Sequence, residues 1–192
     1  MKKVGILALQ GDFEAHAKAL ERAGAEPILI RSAEELKRID GLVIPGGEST
    51  TMLKLLNFMD LKEPLLEFAR EKPVFGTCAG AILLAQEVRN PAQESLGLMD
   101  LTVERNGYGR QIDSRVVNIH PDENFQLRAG AGDVEAVFIR APIIRRTGPD
   151  VRVLAQYEGD PVLVEQGRHL VATFHPELTQ DSRVHKLFLS KL

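Results

Sequence analysis

Pro73-Val74-Phe75-Gly76-Thr77-Cys78-Ala79-Gly80 is the stretch on which the reading of this chain turns. Pro73-Val74-Phe75 reads as a short buried strand, and Ala79 to Ala85 as an apolar helix, so Cys78 stands at a strand-to-helix turn. A nucleophile at such a turn is held out over a sheet on a strained backbone, and a glycine two residues to either side lets the turn close. The first turn of the helix offers unpaired N–H groups and a positive dipole end, which favour a thiolate and suit an oxyanion. The competing reading is a small buried hydrophobe, the common fate of a free cysteine. Cys78 is the only cysteine in the chain, so no internal disulfide claims it.

Upstream of this turn, short apolar strands alternate with amphipathic helices. Val4 to Leu9 reads as a strand, Phe13 to Arg22 as a helix closed by Gly24, and Pro27 to Ile30 as a second strand. Ser32-Ala33-Glu34-Glu35 has capping-box spacing and opens a short helix through Arg38. Gly41 to Ile44 is a third strand, followed by the turn Pro45-Gly46-Gly47-Glu48-Ser49-Thr50 and helices over 51–58 and 61–71, the latter with Pro64 in its first turn. This alternation predicts an α/β fold with a parallel sheet covered by helices on both faces. Ligands of such sheets gather at the carboxyl ends of the strands, where both glycine-rich turns lie.

Downstream of Gly97 the segments become shorter and more β-like: 101–104, 134–139, 151–156, 161–166 and 169–174, with a hairpin turning at Gln166-Gly167-Arg168. Asp181-Ser182 caps a last helix whose Val184, Leu187, Phe188 and Leu192 share one face. Residues 119–133 are polar, contain Gly130 and Gly132 and read as an exposed loop. No repeat or linker interrupts the chain, which is read as a single domain over 1–192.

Composition narrows the function. A net charge of −3 gives no general attraction to nucleic acid or anionic membrane. The apolar run after Met1-Lys2-Lys3 is too short for a signal peptide, and no stretch approaches a membrane span. A soluble, cytoplasmic protein is the expectation. No His, Cys, Asp and Glu cluster has metal-ligand spacing, so no metal is expected.

A cysteine nucleophile needs a group to manage its proton and donors for an oxyanion. Of five histidines, His16 and His185 lie within helices and read as solvated faces, while His120 and His169 fall in a loop and beside a turn. His175 ends the strand Leu170 to Phe174 and would emerge beside Cys78 if that strand joins the same sheet; Glu177 is near enough to orient it. A plain strand-end histidine is an equal reading on these grounds. The Gly46-Gly47 turn lacks the frame and lysine of a phosphate loop, so its use is backbone donation, or simply a strand-to-helix loop. Arg105, Arg110 and Arg140 follow β-like segments, where an arginine can bind a carboxylate or merely face solvent.

Taken together, Leu7-Ala8-Leu9-Gln10-Gly11-Asp12, Pro45-Gly46-Gly47-Glu48-Ser49-Thr50-Thr51, Gly76-Thr77-Cys78-Ala79-Gly80, Val103-Glu104-Arg105-Asn106, Tyr108-Gly109-Arg110-Gln111, Phe138-Ile139-Arg140-Ala141-Pro142 and Phe174-His175-Pro176-Glu177-Leu178-Thr179 resemble the class I, triad-type glutamine amidotransferases. The resemblance runs nearly end to end. Within that class it is strongest to the glutaminase subunits of two-component pyridoxal 5′-phosphate (vitamin B6) synthases.

The resemblance implies a flavodoxin-like three-layer sandwich with a mostly parallel central sheet. It also implies hydrolysis of L-glutamine to glutamate and ammonia, with Cys78 attacking the amide, His175 moving the proton and Glu177 orienting His175. Backbone N–H groups of Gly46, Gly47 and Ala79 would hold the oxyanion, and Gly46, Gly47, Glu48, Arg105, Ile139 and Arg140 would contact glutamine. No cofactor is implied. The implied partner is a (β/α)8-barrel synthase subunit that receives the ammonia, in an assembly of twelve chains of each kind, and docking would turn the Gly46-Gly47 peptide to align one oxyanion donor. One departure stands out: the family usually has an aromatic residue at the position of Arg115, and 115–132 is unlike other members. Two other classes remain as alternatives, a cysteine hydrolase of the related peptidase/chaperone group and a non-catalytic binding subunit.

Overall fold

The computed structural model describes residues 1–106 and 114–192. Tyr108-Gly109-Arg110-Gln111 therefore lies outside the described residues. In chain order the first half comprises β1 (Lys3–Leu7), α1 (Phe13–Ala23), β2 (Glu26–Ile30), α2 (Ala33–Leu36), β3 (Gly41–Ile44), α3 (Ser49–Phe58), α4 (Lys62–Glu71), β4 (Val74–Thr77) and α5 (Ala79–Leu84). The second half comprises β5 (Ala85–Arg89), β6 (Met99–Glu104), β7 (Arg115–Ile119), α6 (Glu123–Ala129), β8 (Val134–Phe138), β9 (Ile143–Thr147), β10 (Arg152–Tyr157), β11 (Asp160–Gln166), β12 (His169–Ala172), a 3-10 turn (Pro176–Leu178) and α7 (Arg183–Leu189).

The main sheet has the strand order β10-β11-β12-β4-β3-β1-β2. β12, β4, β3, β1 and β2 run parallel, and β11 is antiparallel to both of its neighbours. Along the central strands nearly every residue is apolar, because both faces are covered. Leu42 and Ile44 of β3, Val74 of β4 and Val171 of β12 enter one core with α3, α4 and α5. Their neighbours Val43, Phe75, Leu170 and Ala172 enter the opposite core with α1, α6 and α7. The two-residue period of a strand thus builds both layers of a sandwich from one run of sequence. The expected three-layer α/β architecture with a mostly parallel sheet is what is observed.

Local signals set the element ends. Gly24 closes α1 in the left-handed conformation (φ 94°), with its N–H on Glu21 O. At α2 the capping box forms, Ser32 N–H donating to Glu35 Oε2 at 2.9 Å. The hairpin between β11 and β12 turns where expected, at Gly167-Arg168. Two smaller sheets, β5-β6-β9 and β7-β8, were only partly legible.

The expectation of an exposed loop over 119–133 is wrong. Asp122 caps α6 by accepting the Phe125 N–H at 2.8 Å, and Phe125 is fully buried. The polar residues hid a helix held by one aromatic side chain. Among the described residues no helix is long and apolar enough to cross a membrane.

Candidate active site

β4 and β12 are parallel neighbours, with Ala172 opposite Thr77. Both chains leave the sheet at the same edge, which is why residues a hundred positions apart converge. The Cys78 N–H donates to Ala172 O at 3.0 Å, tying the turn to the strand that leads to His175. Cys78 itself has φ 50° and ψ −106°, a region that non-glycine residues avoid and that surrounding structure must enforce. The enforcement is visible at Gly80, two residues on, where any Cβ would lie 2.1 Å from the Ile44 carbonyl oxygen. Only a glycine lets α5 seat this closely on the end of β3.

His175 follows β12 and is anchored by its own N–H, which donates to Val137 O on β8 at 2.8 Å. Its Nδ1 is 2.6 Å from Glu177 Oε1. Cys78, His175 and Glu177 are all buried, at 8 %, 8 % and 4 % exposure, so their interactions are poorly screened by water. Burial alone would lower the His175 pKa. The hydrogen bonds and charges of Cys78 and Glu177 more than reverse this and carry it up to about 10. A buried imidazole that holds its proton so strongly is matched to a thiolate on one side and a carboxylate on the other.

The Gly46-Gly47 turn after β3 forms the opposite wall. A Cβ on Gly46 would lie 2.7 Å from His175 Cε1 and 3.5 Å from Cys78 Cβ, so the loop backbone rests directly against the pair. The Gly46 carbonyl faces Gly11, and at Gly47 (φ 154°) any Cβ would lie 2.4 Å from Gln10 Oε1. Gln10 Oε1 accepts the Glu48 N–H at 2.8 Å and so pins the turn to the end of β1. Ala79 begins α5 immediately after the cysteine.

Glu48 is the cap of α3, accepting the Thr50 and Thr51 N–H groups, and Arg105 Nη2 donates to its Oε1 at 3.0 Å. The Thr50 hydroxyl, working against burial and joined by Thr51, holds the Glu48 carboxyl down to about 2. A permanent carboxylate paired with an arginine thus stands two residues from Gly46. The Ile139 carbonyl is 3.8 Å from Cys78 Sγ. Arg140 follows with φ 46° and is exposed at the rim. The structure therefore gathers Cys78, His175, Glu177, Gly46, Gly47, Ala79 and Ile139 at one place and pairs Glu48 with Arg105 beside them, while Arg140 keeps its side chain in solvent.

Two expectations about histidines are corrected. His16 and His185 are not solvated faces; both are 0 % exposed, in the layer behind Glu177. The signal for His16 was present: Phe13, His16, Ala17 and Leu20 fall on one stripe of α1, so His16 lies on the apolar side. Gln10 stood in a motif of the resemblance with no role given to it, and 134–139 was read as β-like without its contact to the site through Val137 O. No group of three or more His, Cys, Asp or Glu among the described residues could hold a metal ion.

Known proteins with this arrangement are close at hand. Over its full length the chain is 67 % identical to a protein of Solibacter usitatus named pyridoxal 5′-phosphate synthase subunit PdxT, covering 100 % of both chains. It is 54 % identical to the protein of the same name from Koribacter versatilis, over 97 % of this chain and 94 % of that one. A crystal structure of a glutamine amidotransferase superposes with a TM-score of 0.89 at 44 % identity, covering 98 % of this chain and 97 % of the other. With the SNO glutamine amidotransferase family matching residues 6–192, from β1 through the last helix and across every element that builds the site, the chain belongs to that family.

Proposed function

We propose that this chain is a glutaminase whose nucleophile is Cys78, acting with His175 and Glu177 as the subunit that feeds ammonia to a pyridoxal 5′-phosphate synthase. The observation that carries the reading is the unbroken run from Cys78 through His175 to Glu177 at the shared edge of β4 and β12. The Cys78 thiolate attacks the side-chain amide carbon of L-glutamine, and the carbonyl becomes a tetrahedral oxyanion. N–H groups of the Gly46-Gly47 loop and of Ala79 hold that oxyanion; removing one such donor costs about 100- to 1000-fold in rate. His175 passes its proton to the departing nitrogen, which leaves as ammonia, and a thioester remains on Cys78. His175, now neutral, takes a proton from water as it attacks the thioester, releasing glutamate and restoring the thiolate. Glu177 keeps the imidazole oriented and stabilises its charged form throughout.

The Glu48–Arg105 pair and the Ile139-Arg140 segment border the place where the amino-acid end of glutamine would sit, and the exposed Arg140 is free to meet its carboxylate. The relatives are named as subunits of a synthase. The partner proposed here is accordingly a synthase subunit built as a (β/α)8 barrel, in an assembly of twelve and twelve chains in the cytoplasm. The chain acts as one glutaminase domain over 1–192. Docking would rotate the Gly46-Gly47 peptide into its donating position, a movement glycines permit.

The test is glutamate release from L-glutamine, with and without the cognate synthase subunit, with Cys78→Ala as control. Partner-stimulated release that disappears in Cys78→Ala is the expected result. Complex formation with no glutamate release would refute the reading in favour of a binding subunit.

A further inference from the structure

Behind Glu177 lies a buried polar cluster that the hydrolysis outlined above does not use. His16 of α1 has Nδ1 3.1 Å from Nε2 of His185 on α7. Its Nε2 is 3.0 Å from Thr77 Oγ1, the residue before the nucleophile, and 3.4 Å from Glu177 Oε2. Phe75 closes the cluster edge-on, its ring centroid 6.4 Å from His16 and 5.9 Å from His185. Glu177 Oε1 already serves His175. Its Oε2 is fully buried and accepts no hydrogen bond of ordinary geometry, and His185 Nδ1 is likewise unpartnered.

The positions of the protons follow from what burial tolerates. Burial first, then the neighbouring His185 and His175, push the His16 pKa well below its usual value; burial and then Arg22 take His185 to about 3. Both rings are therefore neutral, with one N–H each. With the proton of His16 on Nδ1, its Nε2 lone pair would face the Glu177 carboxylate, and His185 would bury an unpaired N–H. With the proton on Nε2, His185 Nε2–H donates to His16 Nδ1 and His16 Nε2–H points toward Glu177 Oε2 and Thr77 Oγ1. Only a ring lone pair, the cheaper orphan, is then left on His185.

We propose that His16 is a positioning residue of the triad, its Nε2–H steadying the outer carboxylate oxygen of Glu177 while His185 fixes its tautomer from behind. This rests on the glutaminase reading. The relay runs His185 to His16 to Glu177 to His175 to Cys78, so the carboxylate is held from both sides. Without the His16 N–H, Glu177 loses the polar contact on its outer oxygen, its grip on the His175 imidazolium loosens, and the raised His175 pKa falls.

Three variants test it: His16→Leu, His16→Gln, which retains an N–H donor, and the double variant His16→Leu/His185→Leu, which replaces the polar pair by an apolar one. The readouts are kcat and KM for L-glutamine in complex with the synthase subunit, the pH titration of the His175 ring proton resonance in the free chain, and Tm. His16→Leu should lose about 10-fold in kcat, the low end for a contact to a charged group, with KM within about twofold. Its His175 titration should fall by about one pH unit. His16→Gln should recover most of both, and the double variant should recover Tm but neither kcat nor the titration. A His175 titration that stays or rises in a folded His16→Leu or double variant overturns the proposal, as does a kcat loss that follows Tm and is not restored in His16→Gln. Failure of the glutaminase reading looks different: wild type itself would release no glutamate, whatever residue stands at 16.

Discussion

Replacing Gly46 by alanine isolates the contact on which the site's geometry depends. The backbone there lies outside the left-handed region, so an L residue is conformationally acceptable and only the added methyl matters. That methyl would lie 2.7 Å from His175 Cε1. Carbon atoms rest at about 3.5–4.0 Å, so the imidazole must retreat by roughly 1 Å. It cannot do so freely, because the backbone N–H of His175 is tied to Val137 O and the ring Nδ1 lies 2.6 Å from Glu177 Oε1. A misplacement of about 1 Å typically costs about 100-fold in rate, and the overpacking itself costs about 1–3 kcal/mol. Glutamate release by the complex should therefore fall about 100-fold in kcat, with a Tm loss of a few degrees. Gly24→Ala is the control: φ is 94° with nothing within 4 Å, so it should cost about 1–2 kcal/mol in backbone strain and leave kcat alone. If Gly46→Ala retained kcat within about threefold of wild type while folding normally, the close packing of the loop on His175 would not govern the chemistry.

Other outcomes follow from the same coordinates. Glu48→Gln weakens the α3 cap: Glu48 has a folded pKa depressed to about 2, so its stabilising effect is present above the unfolded value near 4.5 and lost as pH falls through 2. The Tm gap between wild type and Glu48→Gln should be constant above about pH 5 and close on acidification; a gap that widens toward acid refutes the sign. In Cys78→Ala, the His175 ring proton resonance should titrate at lower pH than in wild type, where it stays protonated to about 10; an unchanged titration would deny the thiolate pairing. Phe125→Ala should cost about 3–5 kcal/mol in chemical denaturation, since the fully buried ring is what holds α6; a loss under about 1 kcal/mol would return 119–133 to a surface loop.

The half of the chain that could be read in advance is the half built from local signals. Runs such as Gly41–Ile44 are buried on both faces, and caps such as Ser32 and Gly24 act on their own neighbours, so their meaning is written within a few residues. The small sheets gave less to read: β6 takes β9 from well along the chain, Leu101 opposite Thr147, the β5-β6 and β6-β9 registers are irregular, and β7 and β8 pair across the helix between them. α6 is short and polar, and only a long-range contact of Phe125 gives it a place.

The site divides in the same way. Cys78 was legible because a glycine-flanked turn between a strand and a helix is a local construction, and its positive φ is the strain that construction implies. His175 was legible only conditionally, since its role depends on β12 lying beside β4, a pairing that residue types alone leave open. His16 and His185 were misread because a histidine in a helix is judged by its polarity, whereas here the face it occupies decides. Each ring alone would be an expensive core residue; as a pair, with Thr77 and Glu177 to bond to, they become tolerable. Their burial is thus explained by the carboxylate they surround rather than by either helix. The proposed triad stands at the edge of the sheet, and the layer behind its carboxylate is closed by the first helix and the last.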